Sequence, residues 1–374
     1  MKKCCTVNVL LLLVSIVFAM GIGSVCCFDI PTEFQEGYQQ FPFSSFPFSD
    51  PVSNIDTVIS QECGISKFYR QRRPRDDQHL GSIVQKDRNS VLSAIFKKDF
   101  KEDDFLKRER LKARIINGKQ SKPGAWPWQV SLQLLHPKMG FVGHWCGGVL
   151  LNGLNGDFWV LTAAHCISND AFNYPFSALW TAVVGEHDRA IEEGFEQRIM
   201  IDKIYLHERF KEYHHDIALM KLQKSESLQN VTDRIRGICL PTDDNVEIFQ
   251  GVRCIATGWG QSKKGNKLEN ILHQTELPVV ENSHCKQVYG TMFNIPINNY
   301  HLCAGPITEG GAGTCVGDSG GPLQCSLRDG RWYLAGITSF GSGCAKPGFP
   351  DVFTRITYYL PWIRGKFRSS DDSL

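Results

Sequence analysis

From Ile115 onward the chain is predicted to be an all-β domain, a sandwich or a barrel. The first ground is a series of short apolar, β-branched and aromatic runs at Gln129–Leu135, Gly148–Leu151, Trp159–Ala163, Ala182–Gly185, Arg198–Tyr205 and Ile217–Leu222, resuming at Val252–Gly258, Gln274–Val280, Trp332–Ser339 and Asp351–Ile356. The second is the Gly, Asn, Pro and Asp clusters that separate them, which bend the chain at regular intervals. The third is that no long amphipathic helical pattern appears before Tyr358–Phe367, where Pro361 would sit in the first turn.

The residues ahead of this domain read differently. Lys2 and Lys3, the apolar run Val9–Met20 and the small residues Gly21, Gly23 and Ser24 make an export signal over residues 1–24. An uncleaved signal anchor is the competing reading, although the glycines and serine interrupt the apolar run a spanning helix needs. Residues 25–114 form a largely disordered propiece. Phe41–Phe48 is a Phe/Pro/Ser tract with neither strand alternation nor helical period. Arg70–Arg73 resembles a dibasic processing site with Pro74 hindering it, and Lys97–Arg114 is a dense run of mixed charge ending at an accessible basic residue.

Composition narrows the function classes. The formal net charge of +2 points to no nucleic acid or acidic polymer as partner, and 14 cysteines suit an oxidising, extracellular compartment.

The chemistry centres on Thr314-Cys315-Val316-Gly317-Asp318-Ser319-Gly320-Gly321-Pro322. Glycines on both sides of Ser319 let the backbone turn sharply and approach a substrate, as an exposed nucleophile requires. The stretch also satisfies the Gly-x-Ser-x-Gly elbow of α/β-hydrolases, but those enzymes need a histidine after the serine, and none follows His301. A base must come from upstream, and Thr162-Ala163-Ala164-His165-Cys166 offers one. A carboxylate is available at Asp216, inside His214-His215-Asp216-Ile217-Ala218-Leu219. Singly, these residues read as a polar turn, a packed histidine beside a cysteine, and a turn residue before a strand. A zinc site at His207, His214 and His215 is the weaker alternative, since neighbours on a strand point apart and no Cys-x-x-Cys accompanies them.

Together, and in the order His, Asp, Ser, these residues resemble the trypsin/chymotrypsin family of serine proteases. Ile115-Ile116-Asn117-Gly118 after Arg114 and the closing Tyr359-Leu360-Pro361-Trp362-Ile363 extend the resemblance over about 115–368, within a catalytic domain taken as 115–374. The resemblance implies two six-stranded antiparallel β-barrels and a C-terminal helix. It makes His165, Asp216 and Ser319 the catalytic residues, with the N–H groups of Gly317 and Ser319 as the oxyanion hole. It implies a zymogen cut after Arg114, whose new Ile115 ammonium would pair with Asp318. It implies the disulfides Cys146–Cys166, Cys254–Cys325, Cys285–Cys303 and Cys315–Cys344. Cys239 would tie the domain to the propiece through Cys63, while Cys26 and Cys27 stay unassigned.

Around the substrate pocket the chain departs from trypsins. Gly313 stands where they carry an aspartate, and a carboxylate stands instead on the opposite wall at Asp351, with Thr314, Gly341 and Phe353 completing the lining. Either Asp351 attracts a basic side chain, or it bonds into the wall and leaves an apolar slot; broad or mixed specificity is the expectation. Ser339, Phe340 and Gly341 would pair with the substrate backbone as an added strand. Glu186, Asp188, Ile191, Glu193 and Glu196 match the spacing of the trypsin calcium loop, with an acidic surface loop as the competing reading. Asn230-Val231-Thr232 is a glycosylation sequon. No catalytic cofactor is expected. The expected partners are protein or peptide substrates, an activating trypsin-like protease, and serpins or other inhibitors, with no stable membrane association unless the N-terminus is an uncleaved anchor. A catalytically silent binding protein on the same fold is the alternative; such proteins lose a triad residue or the nucleophile motif, and this chain keeps both.

Overall fold

The structure is a computed structural model that describes residues 63–68, 118–169, 172–225, 228, 232–242, 248–261 and 267–369. The export signal, the Phe/Pro tract, the basic stretches at 70–73 and 97–114, the Arg114–Ile115 bond and the Asn230 sequon lie outside the described residues. Among the described residues no helix is long and apolar enough to cross a membrane.

The strands are β1 (Lys119–Gln120), β2 (Gln129–His136), β3 (Gly140–Asn152), β4 (Phe158–Thr162), β5 (Ser168–Asn169), β6 (Phe172–Asn173), β7 (Trp180–Val184), β8 (Gln197–Leu206) and β9 (Ala218–Leu222). They continue as β10 (Arg253–Gly258), β11 (His273–Val280), β12 (His301–Ala304), β13 (Pro322–Ser326), β14 (Trp332–Phe340) and β15 (Asp351–Arg355). Two helices follow the same numbering, α1 (Asn282–Phe293) and α2 (Ile356–Ser369).

The first barrel closes in the order β2-β3-β4-β9-β8-β7. The second runs β11-β10-β13-β14-β15-β12 and closes through a β11–β12 pairing, with β1 added outside β11. Closure removes the unpaired edges that an open sheet would leave. The chain clasps its two halves at both ends. β1 precedes the first barrel yet pairs with β11 of the second, and α2 leaves the second barrel and buries Tyr359, Leu360, Ile363 and Phe367 in the core of the first. Between them, buried polar groups bond in series: Trp128 Nε1–H donates to Gln324 Oε1 at 3.2 Å, Gln324 Nε2 to Thr257 Oγ1 at 3.3 Å, and Thr257 Oγ1–H to Gln129 Oε1 at 2.6 Å. Buried polar atoms left unbonded would be costly.

Most predicted strands form, with ends shifted by a residue or two, and β3 extends well upstream of Gly148. Helix α1 was not anticipated: only Cys285 and Tyr289 of its 12 residues are buried, too narrow a stripe for a helical period to show, and the Cys285–Cys303 disulfide pins it to β12. Helix α2 begins at Ile356, so Pro361 lies inside it rather than in the first turn expected from Tyr358. All five inferred disulfides form, Cys63–Cys239 included.

Candidate active site

His165 sits on a 3-10 turn, Ala164–Cys166, at the end of β4. The Cys146–Cys166 bond ties that turn to β3. Asp216 stands just ahead of β9, after His215 at φ 52°, a left-handed conformation that histidine visits more readily than most residues. The two meet tightly. Asp216 Oδ1 accepts the His165 backbone N–H at 2.9 Å, and Oδ2 accepts His165 Nδ1–H at 2.7 Å. Ser339 Oγ–H donates to the same Oδ2 at 2.5 Å, and Thr354 Oγ1–H to the Asp216 carbonyl at 2.6 Å.

The Ser339 contact depends on a β-bulge. The β14–β15 register slips between Thr338 and Phe340, leaving Ser339 without a partner on β15. A bulge re-aims a side chain in this way. Sequence reading assigned Ser339 to substrate pairing and gave no sign of its bond to Asp216.

Burial alone would raise the Asp216 carboxyl, but the facing His165 ring and the bonds from His165 and Ser339 outweigh it and leave it lowered. Burial alone would lower His165, but the Asp216 charge and hydrogen bond overcome it and leave it raised. A proton on Nδ1 is thus fixed towards Asp216, and Nε2 is the nitrogen that can accept one.

Ser319 is half-buried in the loop between β12 and β13 and is held from two sides. On one, the Gly147 N–H of β3 donates to the Ser319 carbonyl at 2.8 Å; on the other, the Gly320 N–H donates to the Thr338 carbonyl of β14 at 2.9 Å. A Cβ on Gly320, at φ +76°, would collide with Thr162 Oγ1 and come within 3.2 Å of Ala163 N. The Ser319 loop therefore packs on the residues that lead into the His165 turn. Gly317, at φ +96°, adopts a backbone that favours glycine. The N–H groups of Asp318, Gly320 and Gly321 are bonded within the fold, whereas those of Gly317 and Ser319 meet no acceptor among the described residues.

His144 braces this loop, a role the sequence did not suggest. It is buried, and its pKa is lowered to about 4, chiefly by burial, against the Gly317 bond, with Arg189 adding to the lowering. The neutral ring donates Nε2–H to the Gly317 carbonyl at 3.0 Å and accepts the Ser131 hydroxyl on Nδ1 at 2.7 Å. That bond turns the Gly317 carbonyl towards His144.

Asp318 is buried behind Ser319. Its Oδ1 accepts the Gly260 N–H at 2.8 Å and its Oδ2 the Cys315 N–H at 2.9 Å. Burial pushes the carboxyl up to about 6, against the pull of those two donors.

Asp351 is 3 % exposed. Its Oδ2 accepts the Thr314 N–H at 2.6 Å and Oγ1–H at 3.0 Å. A Cβ on Gly313 would stand 2.9 Å from Oδ2, and one on Gly341 2.9 Å from Oδ1. Both glycines are thus needed to seat this carboxyl, and Gly341 is exposed to solvent. Burial pushes Asp351 up to about 7, with the Thr314 donors opposing and Asp318 adding to the rise.

The five residues of the expected calcium spacing share the loop at 186–196. Glu186 Oε1 and Glu193 Oε2 are buried without hydrogen-bond partners. Burial, then the charge of Glu196, pushes Glu186 up to about 7. Glu196, however, directs its oxygens to the N–H groups of Glu193, Gly194 and Phe195 at 2.7–3.0 Å. Among the described residues no three His, Cys, Asp or Glu side chains are grouped to hold a metal. His214 and His215 are likewise engaged, through Nδ1, with the hydroxyls of Tyr300 and Tyr359 at 2.6 and 2.8 Å.

Two closed antiparallel barrels with a His–Asp pair and a glycine-flanked serine loop between them define the architecture of a serine protease. The trypsin family model matches residues 115–363, and the chain belongs to that family. It is 37% identical over 269 residues to serine proteinase stubble of Drosophila melanogaster, an alignment covering 68% of this chain and 31% of that protein. The chain thus spans about a third of the length of the curated relative it matches.

Proposed function

We propose that the chain is an exported serine endopeptidase, made as a zymogen and activated by cleavage after Arg114. The observation that carries this reading is the His165–Asp216 pair, fixed by three hydrogen bonds to one buried carboxylate beside the loop that carries Ser319.

In this reading His165 Nε2 takes the Ser319 proton as Oγ attacks the scissile carbonyl. Asp216 keeps the ring in the required tautomer and stabilises the imidazolium. The Gly317 and Ser319 N–H groups receive the negative charge that develops on the carbonyl oxygen; in other enzymes losing one such donor costs about 2.7–4 kcal/mol. His165 then hands its proton to the leaving amine, and water repeats the sequence on the acyl-enzyme. No step calls for a metal or cofactor.

Activation rests on Asp318. Its buried carboxylate is costly to ionise, and an ammonium delivered by a new Ile115 terminus would offset that cost and set the Gly317–Ser319 loop. The Cys63–Cys239 bond would keep the propiece attached after the cut. For specificity, Asp351 is both wall and reader: Thr314 holds one oxygen while the other lies beside Gly341 at the pocket mouth. That favours mixed cleavage after Arg or Lys and after large apolar residues.

A peptide library digested by the Arg114-cleaved protein tests the reading. Cleavage after both residue classes is expected, with none from Ser319→Ala or from uncut Arg114→Gln. Equal turnover by Ser319→Ala would refute it.

A further inference from the structure

Asp216 is carried by the loop at 207–217, which joins β8 to β9, and histidine rings gather around it. His207 and His215 stack face to face, 4.8 Å apart and 6° from parallel. Tyr300 stacks on His215 at 4.4 Å and meets His301 at 4.5 Å. His214 adds a fourth imidazole through its bond to the Tyr300 hydroxyl. The chemistry proposed above uses none of these rings.

Their hydrogen bonds fix where the protons lie on two of them. His301 Nδ1 accepts the Asn298 N–H at 3.0 Å, and its Nε2–H donates to the Tyr213 carbonyl at 2.9 Å. His207 Nδ1 accepts the Arg209 N–H at 3.2 Å. A backbone N–H can only donate, so both Nδ1 atoms are bare and both rings neutral. His214 and His215 differ, because their Nδ1 partners are tyrosine hydroxyls, which can turn from donor to acceptor. A second proton is therefore tolerated on His214 and His215, whereas on His207 or His301 it sets N–H against N–H.

The two intolerant rings bracket Asp216. The His207 N–H donates to the carbonyl of Ile217, the next residue, at 3.1 Å. His301 holds the carbonyl of Tyr213, three residues before. The charged groups facing the cluster do not favour an added proton. Arg209 on the loop, Arg355 on β15 and Lys366 on α2 repel it. Glu208 would attract it, but its oxygens are taken by Lys366 Nζ at 2.6 Å and Trp362 Nε1–H at 3.0 Å. Asp216 is likewise held by His165 and Ser339. Tyr300, Tyr358 and Tyr359 contribute neutral hydroxyls. Burial is the largest cause lowering the pKa of both His207 and His301. With folded pKa values depressed, the stability they give is present above the unfolded value and lost as pH falls through the folded one.

We propose that His207 and His301 are positioning residues for Asp216 that work only as neutral rings. Protonating them releases the loop at 207–217 and adds a second acid loss of activity to that of His165 itself. The proposal rests on the peptidase reading above for its effect on activity.

Hydrogen–deuterium exchange on the full Ser319→Ala chain, corrected for the intrinsic rate at each pH, reads the loop without catalysis. Between about pH 7 and about pH 4.5 the amides of 207–217 should open about tenfold more, while β4 keeps its protection. In His207→Asn with His301→Asn, where the amide oxygens still accept the two N–H groups but take no proton, that rise should vanish. His214→Asn should keep it. Unchanged exchange in the parent chain, or a rise lost in His214→Asn, would overturn the proposal whether or not the double variant folds. Kinetics on the Arg114-cleaved Ser319 protein with a Leu substrate read the consequence. With kcat/KM scaled to each protein's own value at about pH 8, the wild type should fall about tenfold more per pH unit at the acid end than the double variant. Superimposable acid limbs would overturn the positioning role. No hydrolysis at any pH would sink the peptidase reading, while the exchange result still judges the loop.

Discussion

With Asp351 as the proposed reader of the substrate, specificity should depend on pH in a way that can be isolated. Only the ionised carboxylate attracts a guanidinium, and burial pushes this carboxyl up to about 7. The ratio of kcat/KM for an Arg substrate to that for an otherwise identical Leu substrate cancels the titration of His165 and Asp216, which both substrates share. Because kcat/KM reports the free enzyme, the relevant pKa is that of the empty pocket. The ionised fraction rises from roughly 3% at pH 5.5 to roughly 97% at pH 8.5, so the ratio should climb about thirtyfold and level off. In Asp351→Asn it should stay flat. The same shift predicts a stability trend. A folded-state pKa raised above the unfolded value gives stability present below the unfolded pKa and lost as pH rises through about 7. The loss is up to roughly 4 kcal/mol between those limits, and it should be missing from Asp351→Asn melts. A flat ratio in the wild-type protein, or a pH-dependent one in Asp351→Asn, would show that Asp351 does not read the substrate.

The Cys63–Cys239 link and the Ser319 turn give two further tests. With Cys63→Ser and Cys239→Ser, the propiece of the Arg114-cleaved protein should separate from the catalytic domain on a non-reducing denaturing gel, where the wild type separates only after reduction. The uncut variant should melt lower, by about 2–4 kcal/mol of stability. Gly320→Ala places a methyl against Thr162 Oγ1 and 2.6 Å from the Gly147 carbonyl, in a backbone conformation alanine rarely adopts. It should cost about 1–3 kcal/mol in strain and, by displacing Ser319, about a hundredfold in kcat. Wild-type kcat in a well-folded Gly320→Ala protein would refute the packing argument.

Much of this was readable from the chain itself, for particular reasons. Strands such as Gln129–His136 show because a short buried run is bounded by turns, and the disulfides followed from the family's cysteine pattern. Helix α1 was invisible because only Cys285 and Tyr289 are buried along it, too few to show a helical period. The partners of the candidate site were hidden for a different reason. Ser339 reaches Asp216 through a one-residue register slip, and His144 reaches Gly317 across 173 positions. Neither contact has a local spacing that could reveal it. Asp351 lay between the two: its presence was legible, but its bonds to Thr314 and its seat between Gly313 and Gly341 needed coordinates.

The central claim is that Ser319 becomes a nucleophile only when Arg114 is cut. Intact-mass analysis after exposure to a fluorophosphonate tests it most directly. One adduct per molecule, mapped to Ser319, is expected on the cleaved protein and none on uncut Arg114→Gln or on Asp216→Asn over the same interval. A cleaved, folded protein that takes no label, or an uncut one that labels as fast, would contradict the account.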